Sequence, residues 1–111
     1  MFPDAPTVQI PEDVQTVIEK ENVTIWCEID ANPSDNLTLT WFKDSNVVNV
    51  EDEKFDFSEP EFLIISEVGP EDAGQYSCVA ENEVGLSNES NTATLDVLCK
   101  IYSLITDLIG Q

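Results

Sequence analysis

The 111-residue chain contains no arginine and no histidine, and four lysines are its only basic side chains. Without histidine, neither a Ser-His-Asp nor a Cys-His nucleophilic arrangement can be assembled, nor can a zinc site that relies on imidazole. The four glycines are scattered and form no loop able to cradle phosphate. No apolar run approaches the roughly 20 residues needed for a membrane-spanning helix, so membrane insertion is not expected. No secretory leader pattern opens the chain, and Met1 is read as the start of an expressed fragment. The charge count is as lopsided as the missing arginine suggests: 23 Asp and Glu against 4 Lys, a formal charge of −19 at pH 7. Such a chain repels nucleic acid and anionic lipid surfaces. It is suited either to plain solubility or to a basic protein partner or cations. Two copies of it repel one another unless salt or calcium screens them.

Carboxylates are plentiful, but abundance alone brings some together by accident, and no catalytic or cofactor-binding constellation stands out. Glu51-Asp52-Glu53 reads as a solvated acidic loop in preference to a weak calcium site. No enzyme activity and no cofactor are expected.

The length is that of one domain, large enough for one modest core that a cross-link would help. Apolar residues recur at period two, the mark of half-buried strands. Val23, Ile25, Cys27 and Ile29 share one face, as do Leu39 and Trp41, then Phe55 and Phe57, Leu63 and Ile65, Tyr76, Cys78 and Ala80, and Leu95 and Val97. These runs predict strands over 23–29, 37–43, 54–58, 62–66, 74–82 and 90–98. A short edge strand is expected at 47–50. A first strand over 7–10 and 14–18 is split by Pro11, which confines it to an edge or a crossing between sheets. Turn residues crowd 31–36 and 44–46, and Gly85 is expected to supply a positive φ in the loop over 83–89. The domain is therefore drawn at 7–98, after a linker-like lead over 1–6 and before an apolar tail over 99–111. That tail has two readings. One is an amphipathic helix, with Leu98, Ile101, Ile105 and Leu108 three and four apart. The other, preferred, is the opening of a truncated second domain.

The order Cys27, Trp41, then Asp72-x-Gly74-x-Tyr76-x-Cys78 resembles an immunoglobulin domain. The finer pattern is similar to the intermediate (I-set) class, through Val23-x-Ile25-x-Cys27, Leu63-x-Ile65-x-x-Val68, Ala80-x-Asn82-x-x-Gly85 and Leu95-x-Val97. The resemblance covers about residues 6–97. It implies an all-β, two-sheet antiparallel Greek-key sandwich with a Cys27–Cys78 disulfide between the sheets, Trp41 packed on it, and a tyrosine corner at Tyr76. Leu63, Ile65, Asp72 and Gly74 are then structural as well. The pair is read as structural and not redox-active, because its spacing is long and both cysteines lie on inward positions. Related domains place an arginine against the aspartate of the Asp-x-Gly motif. Here Lys54 is the nearest candidate partner for Asp72, and a looser one than a planar guanidinium. Many relatives also carry glycine where Lys20 stands, at the turn into the second strand.

A disulfide implies an oxidising compartment. Three sequons agree, Asn22-Val23-Thr24, Asn36-Leu37-Thr38 and Asn88-Glu89-Ser90, where roughly one would arise by chance. The resemblance thus implies an extracellular or cell-surface recognition module of an adhesion or receptor protein, itself part of a larger chain. The alternative is an intracellular muscle-type structural module with reduced cysteines and unused sequons. The partner of the extracellular module would be a protein, basic or itself an immunoglobulin-type domain. Strand parity yields two outward patches: Phe42 with Val79, and Trp26 with Phe62 and Ile64. Clustered aromatic residues make better interface candidates than single apolar ones. A glycan at Asn22 would shade the second patch, leaving the first the more open. Cys99 is the odd cysteine, either a free thiol or one partnered by missing sequence, or the site of an intermolecular disulfide. A dimer through Cys99 or the tail is the corresponding partner expectation.

Overall fold

The computed structural model describes residues 4–32, 37–48 and 51–99. Among the described residues ten strands follow in order: β1 (Asp4–Gln9), β2 (Val14–Ile18), β3 (Val23–Trp26), β4 (Glu28–Asn32), β5 (Thr38–Lys43), β6 (Asn46–Val47), β7 (Phe55–Asp56), β8 (Phe62–Ile65), β9 (Gly74–Glu81) and β10 (Ala93–Leu98). One 3-10 turn, Pro70–Asp72, precedes β9. The strands form a two-layer sandwich. One layer runs β3-β8-β7, with β1 paired to β4, which carries the line of β3 past Cys27; the other runs β2-β10-β9-β5-β6.

Alternation in the sequence decides which side chains meet between the layers. Val23, Ile25, Cys27, Trp41, Leu63, Ile65, Tyr76, Cys78 and Leu95 are all buried, joined by Ile10, Val48, Val68 and Ala93. Their neighbours in sequence face out, as the buried–exposed–buried–exposed pattern of β3 records. A one-residue slip of any of these strands would turn its whole apolar set to water, so burial itself holds the register.

Several expectations need correction. The first strand starts at Asp4, so residues 4–6 are strand and not linker. β2 runs parallel to β10, from Val14 beside Thr94 to Ile18 beside Leu98, so the sandwich is not wholly antiparallel. The cause is the break at Pro11: the chain leaves β1 in one layer and crosses to the edge of the other, arriving alongside the last strand. Asn91 fastens that crossing, its Oδ1 accepting from the Ile10 amide at 2.8 Å and its Nδ2 donating to the Ile10 carbonyl at 3.0 Å. Of the edge strand expected over 47–50, the described part is Asn46–Val47, with residues 49–50 outside the described residues, and the strand expected over 54–58 shrinks to Phe55–Asp56.

The last strand also begins late, at Ala93. Before it, residues 86–90 run beside β9, but two serine hydroxyls stand in for backbone carbonyls. Ser87 Oγ accepts from the Ala80 amide and Ser90 Oγ from the Cys78 amide, each at 2.9 Å. Those buried amides are satisfied without a regular ladder.

Gly85 does not have a positive φ; among the described residues that geometry falls on Gly74 (152°) and on Lys20 (78°), Asp44 (50°), Ser45 (70°) and Glu67 (47°). Lys20 thus adopts the geometry that glycine favours at its turn. It is held there because its amide donates to the Val68 carbonyl at 2.7 Å while the Val68 amide donates to the Glu21 carbonyl at 2.9 Å. Asp44 and Ser45, both left-handed, make the two-residue hairpin between β5 and β6.

Candidate functional site

The interior brace comes first, because it aims everything outside it. Cys27 and Cys78 are joined across the sandwich, their Cα atoms 6.5 Å apart and 51 residues separated in sequence. Closing so long a loop stabilises by about 4 kcal/mol in the chain-entropy model. Trp41 lies opposite Cys78 in the β5–β9 register, and its indole N–H is satisfied by the Pro60 carbonyl at 2.8 Å.

The corner before β9 is a second brace. The Tyr76 hydroxyl, fully buried, donates to the Asp72 carbonyl at 2.6 Å. The Asp72 carboxylate, itself buried, accepts from the Gly69 amide at 2.8 Å and meets Lys54 Nζ at 2.5 Å. Lys54 also reaches the exposed Glu71 carboxylate at 3.0 Å. The hydrogen bond to Asp72, foremost, holds the Lys54 ammonium above its usual pKa. Glu71 is held below the ordinary carboxylate range by its own backbone amide and then by Lys54. Burial pushes the Tyr76 phenol upward, with the nearby Asp72 charge adding to it. At Gly74 an added Cβ would stand 2.7 Å from the Asp44 carboxylate, which accepts from the Gln75 amide at 3.0 Å. That close approach and its φ require glycine there. None of these groups is left chemically unsatisfied, and the brace is structural.

The outward surfaces carry apolar side chains that lie outside the core cluster. On the β5–β9 layer, Phe42 stands opposite Ser77 and Val79 opposite Thr40, so Phe42 and Val79 share the outer face, both half-buried. Phe42 is also paired with Val47, which is 63% exposed. Leu86, 64% exposed, is bridged to Glu81 on the same face. Ser77 is covered there by Glu89, to whose carboxylate its hydroxyl donates at 2.5 Å. On the other layer Trp26 stands opposite Phe62, and the rings stack with centroids 6.2 Å apart and planes 16° from parallel. Ile64, opposite Thr24, lies on the same face. Beside them is an open groove of about 270 Å³ lined by Thr24, Asp56, Ser58, Glu59, Phe62 and Ile64. The Asp56 carboxylate accepts from the Ser58 amide at 3.0 Å, which keeps it below its usual pKa.

Of the sequon residues, Asn22 is exposed, and its Oδ1 accepts from the Glu67 amide at 3.0 Å. Asn88 is exposed and lies between Ser87, bonded to Ala80, and Ser90, bonded to Cys78, level with Val79. The face around Phe42 and Val79 is therefore flanked by a sequon. Asn36, the end of the edge strand expected over 47–50 and the tail beyond Cys99 fall outside the described residues. Cys99 is an exposed free thiol. Val47 and the Asp56/Glu59 edge were missed from the sequence; the two-residue hairpin after Lys43 was the signal that could have paired Val47 with Phe42.

Comparisons agree with this geometry. The family model for the immunoglobulin domain matches residues 5–97. The human peroxidasin homolog is 40% identical over 88 residues, 79% of this chain and 6% of that protein. Neural cell adhesion molecule 1 of Gallus gallus is 36% identical over 83 residues, 72% of this chain and 7% of that protein. Among solved structures, the tandem Ig repeats of Dlar superpose with a TM-score of 0.75 at 27% identity, covering 86% of this chain and 49% of that one. The chain thus spans only a small part of the relatives it resembles in sequence. With the family model covering nearly the whole described sandwich, the chain belongs to the immunoglobulin-domain family.

Proposed function

We propose that this domain is a non-catalytic, extracellular protein–protein recognition module of an adhesion or receptor ectodomain, and that it engages its partner through the outer face around Phe42 and Val79. The observation that carries the reading is the continuity of Phe42, Val79 and the exposed Val47 on one sheet face, where the core gives them no role. Similarity to a protein named as an adhesion molecule supports the same class. A charge of −19 favours a partner with a basic surface, or another immunoglobulin-type domain that brings basic charge, and weighs against self-association. The exposed Cys99 thiol is read as free or partnered by missing sequence ahead of an intermolecular disulfide; a purely monomeric band on a non-reducing gel rules out the covalent dimer.

Two measurements test the reading. Phe42→Ala should weaken binding of a captured protein partner by tenfold or so, as a central aromatic anchor does, with the fold intact; unchanged affinity rejects this face. The intact mass of protein secreted from a eukaryotic host, reduced and unreduced, should show glycans and an oxidised Cys27–Cys78 pair. A reduced, unglycosylated chain would point instead to the intracellular structural module.

A further inference from the structure

We infer that the groove beside Trp26 and Phe62 is the seat of this domain's own glycan, the one carried on Asn22, so that the exposed aromatic pair is a platform for sugar rings. The inference rests on the extracellular reading above, since glycan transfer happens on chains that enter the secretory pathway.

Four observations converge. Thr24 shares strand parity with Trp26 on the outer face of β3, and the exposed Asn22, the other end of the first sequon, stands one residue before that strand. At the rise of an extended strand, Thr24 is about 7 Å and Trp26 about 13 Å from Asn22, within reach of the first few rings of a glycan core. Thr24 itself lines the groove, with Phe62 and Ile64 forming its apolar side and Asp56, Ser58 and Glu59 its polar side. Finally, the Asn22 amide is oriented: Oδ1 accepts from the Glu67 amide, so that bond does not engage Nδ2, the atom that carries a glycan.

The chemistry suits a neutral oligosaccharide. The C–H face of a pyranose packs on a flat aromatic surface, and its hydroxyls need acceptors at the edge. An apolar floor with a few convergent polar groups is the general form of such sites. Trp26 is 42% exposed, a large apolar area left to water unless something covers it. In the transfer, Asn22 Nδ2 displaces a lipid diphosphate from C1 of a lipid-linked oligosaccharide. The new N–C1 bond replaces the C1–O bond, and the amide proton leaves with the diphosphate.

The two tryptophans make the test clean. Trp41 is only 2% exposed, so collisional quenching of indole fluorescence by acrylamide reports Trp26. The protein is secreted as Asn36→Gln/Asn88→Gln, which keeps Asn22 as its one intact sequon. It is compared with the same protein carrying Asn22→Gln or, to preserve the Asn22–Glu67 bond, Thr24→Val. The expected result is an intact mass that includes a glycan at Asn22. The quenching constant should rise about twofold on losing it, as a covered aromatic face is opened. The glycan should also raise Tm by about 4 °C, and that increment should vanish in a Trp26→Ala background. An occupied Asn22 with unchanged quenching overturns the seat while leaving the extracellular reading intact. An unoccupied Asn22 overturns it too. If wild-type protein from the same host also carries no glycan at any sequon, the extracellular reading falls with it.

Discussion

Strand β9 has two sides that obey different rules. Inward, Tyr76, Cys78 and Ala80 are fully buried, and each polar atom there has a named partner. Outward, Val79 and its neighbour Phe42 are half-buried and stand outside the core cluster. The same backbone hydrogen bonds support both sides. The difference teaches that stability and the proposed recognition face are separable here by residue parity, so substitutions should divide into two classes along a single strand.

The largest expected effect tests the inner side. Asp72→Ala removes the acceptor of both Lys54 and the Gly69 amide and should cost about 3 kcal/mol or more, seen as a loss of midpoint in denaturant melts. A loss below about 0.5 kcal/mol would mean that the corner is not a brace. Next comes a gain: Lys20→Gly relieves a left-handed residue and should stabilise by about 0.5–1 kcal/mol once glycine's extra freedom in the unfolded chain is counted. A destabilised variant would show that Lys20 is held by its side chain and not by its turn.

On the outer side, Phe42→Ala should move stability by only about 0.5 kcal/mol even as it weakens binding; a large loss would erase the division between the faces. The smallest effect near neutrality is that of pH. The Lys54 pKa is raised in the folded state from 10.5, so its contribution is complete below that value and fades as pH climbs through the folded-state pKa. Melting curves from pH 6 to 9 should therefore change no more in wild type than in Lys54→Met, with the two converging in strong alkali. Glu71 is lowered from 4.5, so whatever it adds is present above that value and is lost as acid titrates it through its lower folded-state pKa.

The brace was the most legible part of the chain. Period-two spacing around Cys27, Trp41, Leu63, Ile65 and Tyr76 needs only a strand and one buried face, both local properties. The Lys54–Asp72 contact was legible only as one candidate among few, since the chain offers so little positive charge. Gly85 misled because a glycine permits a positive φ without requiring one, whereas Lys20 and Ser45 are forced into it by the bonds around them. The polar serines at 87 and 90 gave no hint that they would cap β9 amides. Their role depends on the segment's exact placement beside a strand seven to twelve residues away.

Strand content, inward residues, the shortage of cations and the positions of the sequons were settled by the order of residues alone, because each depends on near neighbours or on simple counting. Tertiary structure alone decided that β2 would run parallel to β10, that Val47 would join Phe42, that Asn88 would lie level with Val79, and that Thr24, Asp56 and Glu59 would share one groove with Phe62. Those facts depend on which distant segments meet, and the meeting is fixed by burying one common core across a disulfide, a constraint that no local window of sequence contains.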